Sequence, residues 1–177
     1  MENFMGQYWK VVNLNKKEYI NPHKLGVGLK LGEQLGSGHG TPDALFILVA
    51  AMREHRGGGD FDWDSNYHGP ERTMAHPSGA PVNTKYNKIA KRTIGRWAGD
   101  RIAVIGDYAE DGDLFGTPIP ASQIYGACMG DDKVFEETER KQQKRWTDIT
   151  DDVAAVIEHE VGGKFKGDGW RDFERRR

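Results

Sequence analysis

The chain has 177 residues, with 25 Lys and Arg against 27 Asp and Glu and a formal net charge of −2. That balance excludes a protein that coats nucleic acid by bulk electrostatics, so nucleic acid is not expected as the main partner. The single cysteine, Cys128, excludes an intramolecular disulfide and any multi-cysteine zinc site, and it fits a reducing compartment.

From the N-terminus, residues 8–12 carry aromatic and β-branched side chains. Turn-forming residues 13–17 follow, and then Glu18, Tyr19 and Ile20. This pattern predicts an N-terminal hairpin, closed by Asn21 and Pro22. Glycines at 26, 28 and 32 interrupt any helical period over 25–36, which reads as irregular. The loop Gly36, Ser37, Gly38, His39, Gly40 then runs into Thr41 and Pro42. Thr41 suits a helix cap and Pro42 a first helical position. The apolar run 44–52 predicts a helix over 42–55 that is buried on every side.

Residues 57–87 are polar and rich in Gly and Pro, and they read as an irregular insertion. A turn over 95–100 leads into 101–108, the clearest strand, expected at the centre of the sheet. Residues 131–145 read as a charged helix, acidic at its start and basic at its end, with Glu136/Arg140 and Glu137/Lys141 four apart. Thr150 caps a last helix carrying Val153, Ile157 and Val161 on one stripe, stopped by Gly162 and Gly163. Beyond it, 164–177 is a flexible tail in which Phe165, Trp170 and Phe173 alternate with Arg171 and Arg175 to Arg177. The fold expected is α+β: one domain over 1–163, with a small, mainly antiparallel sheet packed on the buried helix and the C-terminal helix, and long irregular loops.

Several residue groups carry chemistry. A glycine loop entering a helix aims backbone N–H groups at one point, so Gly36, Ser37, Gly38, His39, Gly40 and Thr41 form a candidate anion site, with Arg96 and Arg101 as helpers. His39 is the candidate acid–base group of a hydrolase. Asp60, Asp62, Asp64 and Glu71 match the 1, 3, 5, 12 spacing of a calcium loop, but Ser65 stands where the sharp turn wants glycine and Pro70 interrupts the exiting helix. His55, His68 and His76 have spacings of no known metal motif and read as loop histidines. Trp97 reads as core and Cys128 as a buried or incidental thiol.

The blocks MGQYWKVVNLNKKEY (residues 5–19), NPHKLG (21–26), GRWAGDRI (95–102), GDY (106–108) and WTDIT (146–150) resemble a group of uncharacterised bacterial and phage proteins. The resemblance covers about a third of the chain and brings no catalytic residue with it. It implies Met5 as the ancestral start, elaborations at 57–87 and 119–145, and a bacterial or phage setting. No window approaches the roughly 18 apolar residues of a membrane span, and the first residues lack a signal-peptide pattern, so a cytoplasmic protein without a membrane partner is expected. The leading expectation is a binding protein for an anionic small molecule, plausibly a nucleotide. The alternatives are an inhibitor or adaptor acting by protein–protein contact, through the 60–71 loop or the 131–145 helix, and the His39 hydrolase. No cofactor follows from the residues.

Overall fold

The computed structural model describes residues 7–28, 30–36, 40–51, 84–117, 119–128 and 146–160. Its centre is a four-stranded sheet in the order β3-β1-β2-β4, formed by β1 (Trp9–Asn13), β2 (Glu18–Ile20), β3 (Ile102–Gly106) and β4 (Thr147–Asp148). β1 pairs antiparallel with both β2 and β3, and β4 joins β2 in parallel. The hairpin therefore forms as its alternation predicts. Asn13 holds its four-residue turn, accepting from the Asn15 and Lys16 N–H groups at 3.0 and 2.9 Å, and Lys17 takes a left-handed φ of 54°.

Because strand side chains alternate, adjacent valines serve opposite faces. Val11 joins a large core with Ile20, Leu48, Trp97, Val153 and Ile157, built on α2 (Thr41–Val49), α3 (Thr84–Thr93) and α5 (Thr150–Glu160). Val12 turns to a smaller core with Ile105, Ile119, Ile124 and Cys128 beneath α4 (Ala121–Cys128). The architecture is α+β, a small sheet packed on a helix and the C-terminal helix.

Five expectations are corrected. First, 25–36 is not irregular throughout: a 3-10 turn spans Pro22–Leu25, and α1 spans Leu31–Gly36. Glu33 starts α1 by reaching back to the Lys30 N–H at 3.2 Å, a local cap that offsets the glycines. Second, α2 stops at Val49, short of residue 55. The N–H groups of Gly95 and Trp97 take the carbonyls of Ile47 and Leu48 at 2.8 and 2.7 Å, so a distant turn ends the helix. Third, α2 is not buried all round, since Phe46 is 77% exposed. Fourth, β3 lies at an edge of the described sheet rather than its centre, because the hairpin places β1 and β2 inside. Fifth, α3 begins at Thr84, inside the stretch read as irregular. The expected charged helix at 131–145, the Val161 end of the last stripe and the 164–177 tail lie outside the described residues.

Glu18 is the polar centre of the larger core. It is 4% exposed, and its carboxylate accepts from Arg96 Nε at 2.9 Å, Arg96 Nη2 at 2.7 Å and Trp97 Nε1 at 2.9 Å. The hydrogen bonds to Glu18 raise the Arg96 pKa above its ordinary value, even though burial acts against them. Glu18→Gln keeps the shape but removes the charge opposite Arg96. It is expected to cost about 3 kcal/mol in urea unfolding, whereas Lys17→Gln, one residue earlier and only partly buried, is expected to change stability by less than about 0.5 kcal/mol.

Candidate functional site

The residues expected to bind an anion are arranged differently from a ligand site. Gly40 caps α2 with a φ of 145°, a conformation reserved for glycine. Its N–H, an expected anion donor, already bonds to the Asp43 carboxylate at 3.0 Å. Thr41 is therefore the first helical residue rather than the cap. Its hydroxyl is buried without a hydrogen-bond partner among the described residues. Arg96 is bound to Glu18, and Arg101 donates to the carbonyls of Phe115 and Gly116 at 2.5 and 2.8 Å. Gly36 ends α1. Ser37, Gly38 and His39, and the calcium candidates Asp60, Asp62, Asp64 and Glu71, lie outside the described residues.

What the fold does assemble around Thr41 is an apolar recess of about 190 Å³. α1 supplies Leu31 and Leu35, one helical turn apart; α2 supplies Pro42, Leu45 and Phe46; Val11 and Val104 form the sheet side. Gln34 is pinned behind it, donating to the Trp9 carbonyl at 3.0 Å, which fixes α1 over the start of β1. Leu35 is 71% exposed and Phe46 77%. Leu31, Val49 and Val104 are also exposed large apolar side chains. Scattered apolar residues on a surface carry no message, whereas these line one recess and form a contiguous exposed apolar patch. Sequence reading missed it because α1 was read as irregular and α2 as fully buried.

On the opposite face lies a second polar group. Lys10 is 2% exposed. Its Nζ sits 4.9 Å from the Tyr19 ring centre and 5.4 Å from that of Tyr125, and 3.5 Å from the Cys128 carbonyl. Burial lowers the Lys10 pKa, and the ring faces partly replace the water it has lost. Burial also pushes the Tyr19 phenol and the Cys128 thiol up to about 12. At Asp148 burial acts upward too, but hydrogen bonds from Thr150 and the Lys24 ammonium, 3.0 Å away, outweigh it and hold the carboxyl below its ordinary value. A thiol held protonated and 1% exposed is a poor nucleophile, so this group is read as packing, as expected for Cys128.

No family model, no curated protein and no solved structure matches the chain. Among the described residues, no helix is long and apolar enough to cross a membrane, and no cluster of three His, Cys, Asp or Glu is placed to hold a metal.

The Cys128 thiol has a folded pKa above its ordinary 9.0, so its contribution to stability is complete below pH 9 and is lost as pH rises toward 12. Cys128→Ala should therefore lose less stability than the wild type between pH 9 and 10.5 in urea titrations, by up to about 1.4 kcal/mol per pH unit. A steeper loss in the variant would contradict the buried, protonated thiol.

Proposed function

We propose that this chain is an adaptor or inhibitor that acts by protein–protein contact, and that it docks through the recess between α1, α2 and β3. The observation that carries the reading is the exposure of Leu35 and Phe46 beside a recess whose other walls are apolar. Water-facing leucine and phenylalanine side chains forgo about 1.5–3 kcal/mol each of burial free energy. A partner that covers them recovers that free energy, as the apolar anchors of interfaces do. The expected docking elements at 60–71 and 131–145 lie outside the described residues, so the reading moves to a different surface.

This reading is preferred to capture of a nucleotide or other small anion. The Gly40 amide is occupied by Asp43, and the charge of Arg96 is neutralised by the Glu18 carboxylate. A cytoplasmic bacterial or phage setting belongs to the same proposal, supported by the resemblance of the sequence blocks and by the single cysteine.

A photo-reactive benzoylphenylalanine at position 35 tests it. Irradiation is expected to trap a discrete protein, and Phe46→Asp in the same chain is expected to reduce trapping at least tenfold, on the scale of an interface anchor at ~1.4 kcal/mol or more. Because Phe46 faces water, the variant should keep its thermal midpoint within about 3 °C. Trapping that ignores Phe46→Asp in a folded protein, or the absence of any protein adduct, would sink the reading.

A further inference from the structure

The recess is bounded by the open side of β3, and the register of that strand specifies what can complete it. Asp107 N bonds to Tyr8 O at 3.0 Å and Leu14 N to Arg101 O at 2.9 Å. Within the β1–β3 register, which pairs Val11 with Val104, these bonds set the phase of the ladder. Ala103 and Ile105 face β1 with their backbone hydrogen-bonding groups, and Arg101 and Asp107 bond to Leu14 and Tyr8 just beyond its two ends. Ile102, Val104 and Gly106 therefore direct their N–H and C=O groups to the other side. Among the described residues no strand pairs there. Gly106 O accepts from Ala109 N at 3.2 Å, but among the described residues nothing pairs with either backbone group of Val104. Sheet edges are ordinarily blunted by Lys, Pro or a bulge, and β3 reads Ile-Ala-Val-Ile-Gly, with none of these.

Charge complementarity selects the occupant. Arg101 and Asp107, both exposed, flank β3 three residues to either side of Val104. Among the described residues neither has an ion-pair partner: Arg101 donates to the Phe115 and Gly116 carbonyls and Asp107 accepts from the Tyr8 N–H at 3.0 Å, neutral groups that leave both charges uncompensated. If two β3 strands run antiparallel about a two-fold axis at Val104, each Arg101 stands opposite the other chain's Asp107, twice per pair. Directly opposed residues share a face, so each charge meets its opposite. The two Val104 side chains also meet, on the face that carries the recess. A parallel arrangement in register would instead set Arg101 against Arg101.

We infer that the partner at this surface is a second copy of the same chain, joined by antiparallel pairing of β3 with β3 centred on Val104. The Val104 pair exchanges two backbone hydrogen bonds, the sheet continues to eight strands, and each recess gains an apolar side chain from the other copy. A two-fold contact requires one patch to be complementary to itself, and the order Arg101, apolar strand, Asp107 is. The inference rests on the reading of the recess as a protein contact.

The experiment is sedimentation equilibrium on the full chain and on charge-reversed variants. Wild type should form a dimer. Arg101→Glu and Asp107→Lys should each weaken it roughly tenfold or more, because each makes both flanking pairs repulsive. Mixing the two variants should restore a heterodimer, in which the introduced glutamate meets the introduced lysine on one side and the two unaltered residues, Asp107 and Arg101, meet on the other. That restoration also establishes that both variants are folded. Three outcomes overturn the inference: a monomeric wild type, a dimer indifferent to either reversal, and variants that fail to recombine. If wild type is monomeric while the position-35 probe traps a different protein, self-pairing falls and the docking reading stands. A monomer that traps no protein ends both.

Discussion

A buried carboxylate on β2 sets the geometry of the rest. Glu18 stands in a nearly dry core, where an uncompensated charge would be prohibitive, so its three donors are a condition of folding rather than an embellishment. Two come from Arg96 and one from Trp97, and the constraint therefore holds the turn between α3 and β3 against the hairpin. From that turn, Gly95 and Trp97 reach back to end α2, while Lys16 binds Asp100 and the Arg96 carbonyl from the hairpin side. One ionic contact thus determines where α2 stops, where β3 begins and how both lie against β1.

The two faces of the sheet treat polarity in opposite ways. On the α2–α5 face, Glu18 is neutralised by a guanidinium and an indole N–H, and the Arg96 side chain retains partial access to water. On the α4 face, no carboxylate among the described residues is in hydrogen-bond contact with Lys10; two ring faces and one carbonyl stand against it. Burial is consequently the dominant influence there, lowering the amine and raising the thiol and phenol. An enclosed site with its thiol protonated suits packing, and the exposed apolar side chains lie on the other face, around α1, α2 and Val104 of β3.

The sequence disclosed local structure where local forces decide. The hairpin was legible because Val11 and Val12 alternate across the sheet and Asn13 supplies turn chemistry. Trp97 was legible as core because a large indole seldom remains in water. The extent of α2 was not legible, since its end is imposed by backbone donors about fifty residues away in sequence. The apolar run of β3 announced a strand but not its neighbours, because a buried central strand and an uncovered edge strand read alike. β4 has two residues and pairs in parallel with β2, more than a hundred residues away in sequence, a long-range effect without a local signal. The helix entrance expected at the end of the glycine loop is present at Gly40 and Thr41, but the Gly40 N–H, a donor expected for a ligand, is satisfied three residues on by Asp43. In a sequence, a self-capped helix and an anion site look the same.

The asymmetry of the sheet's two margins is the remaining consequence. At the β4 margin the chain pairs for two residues and turns at once into α5, with Thr147 exposed and Asp148 engaged by Lys24 and Thr150, so little open ladder remains for another strand. At the β3 margin the strand is longer, uncharged along its length and adjacent to the only large exposed side chains of α1 and α2 among the described residues. Such a margin pairs indiscriminately unless something fixes its register, because a ladder of backbone groups accepts many alignments. Arg101 and Asp107 provide that restriction. A slip by one residue turns side chains to the wrong face, and a slip by two separates each charge from its opposite, so the flanking pair limits an otherwise permissive edge to one partner in one alignment.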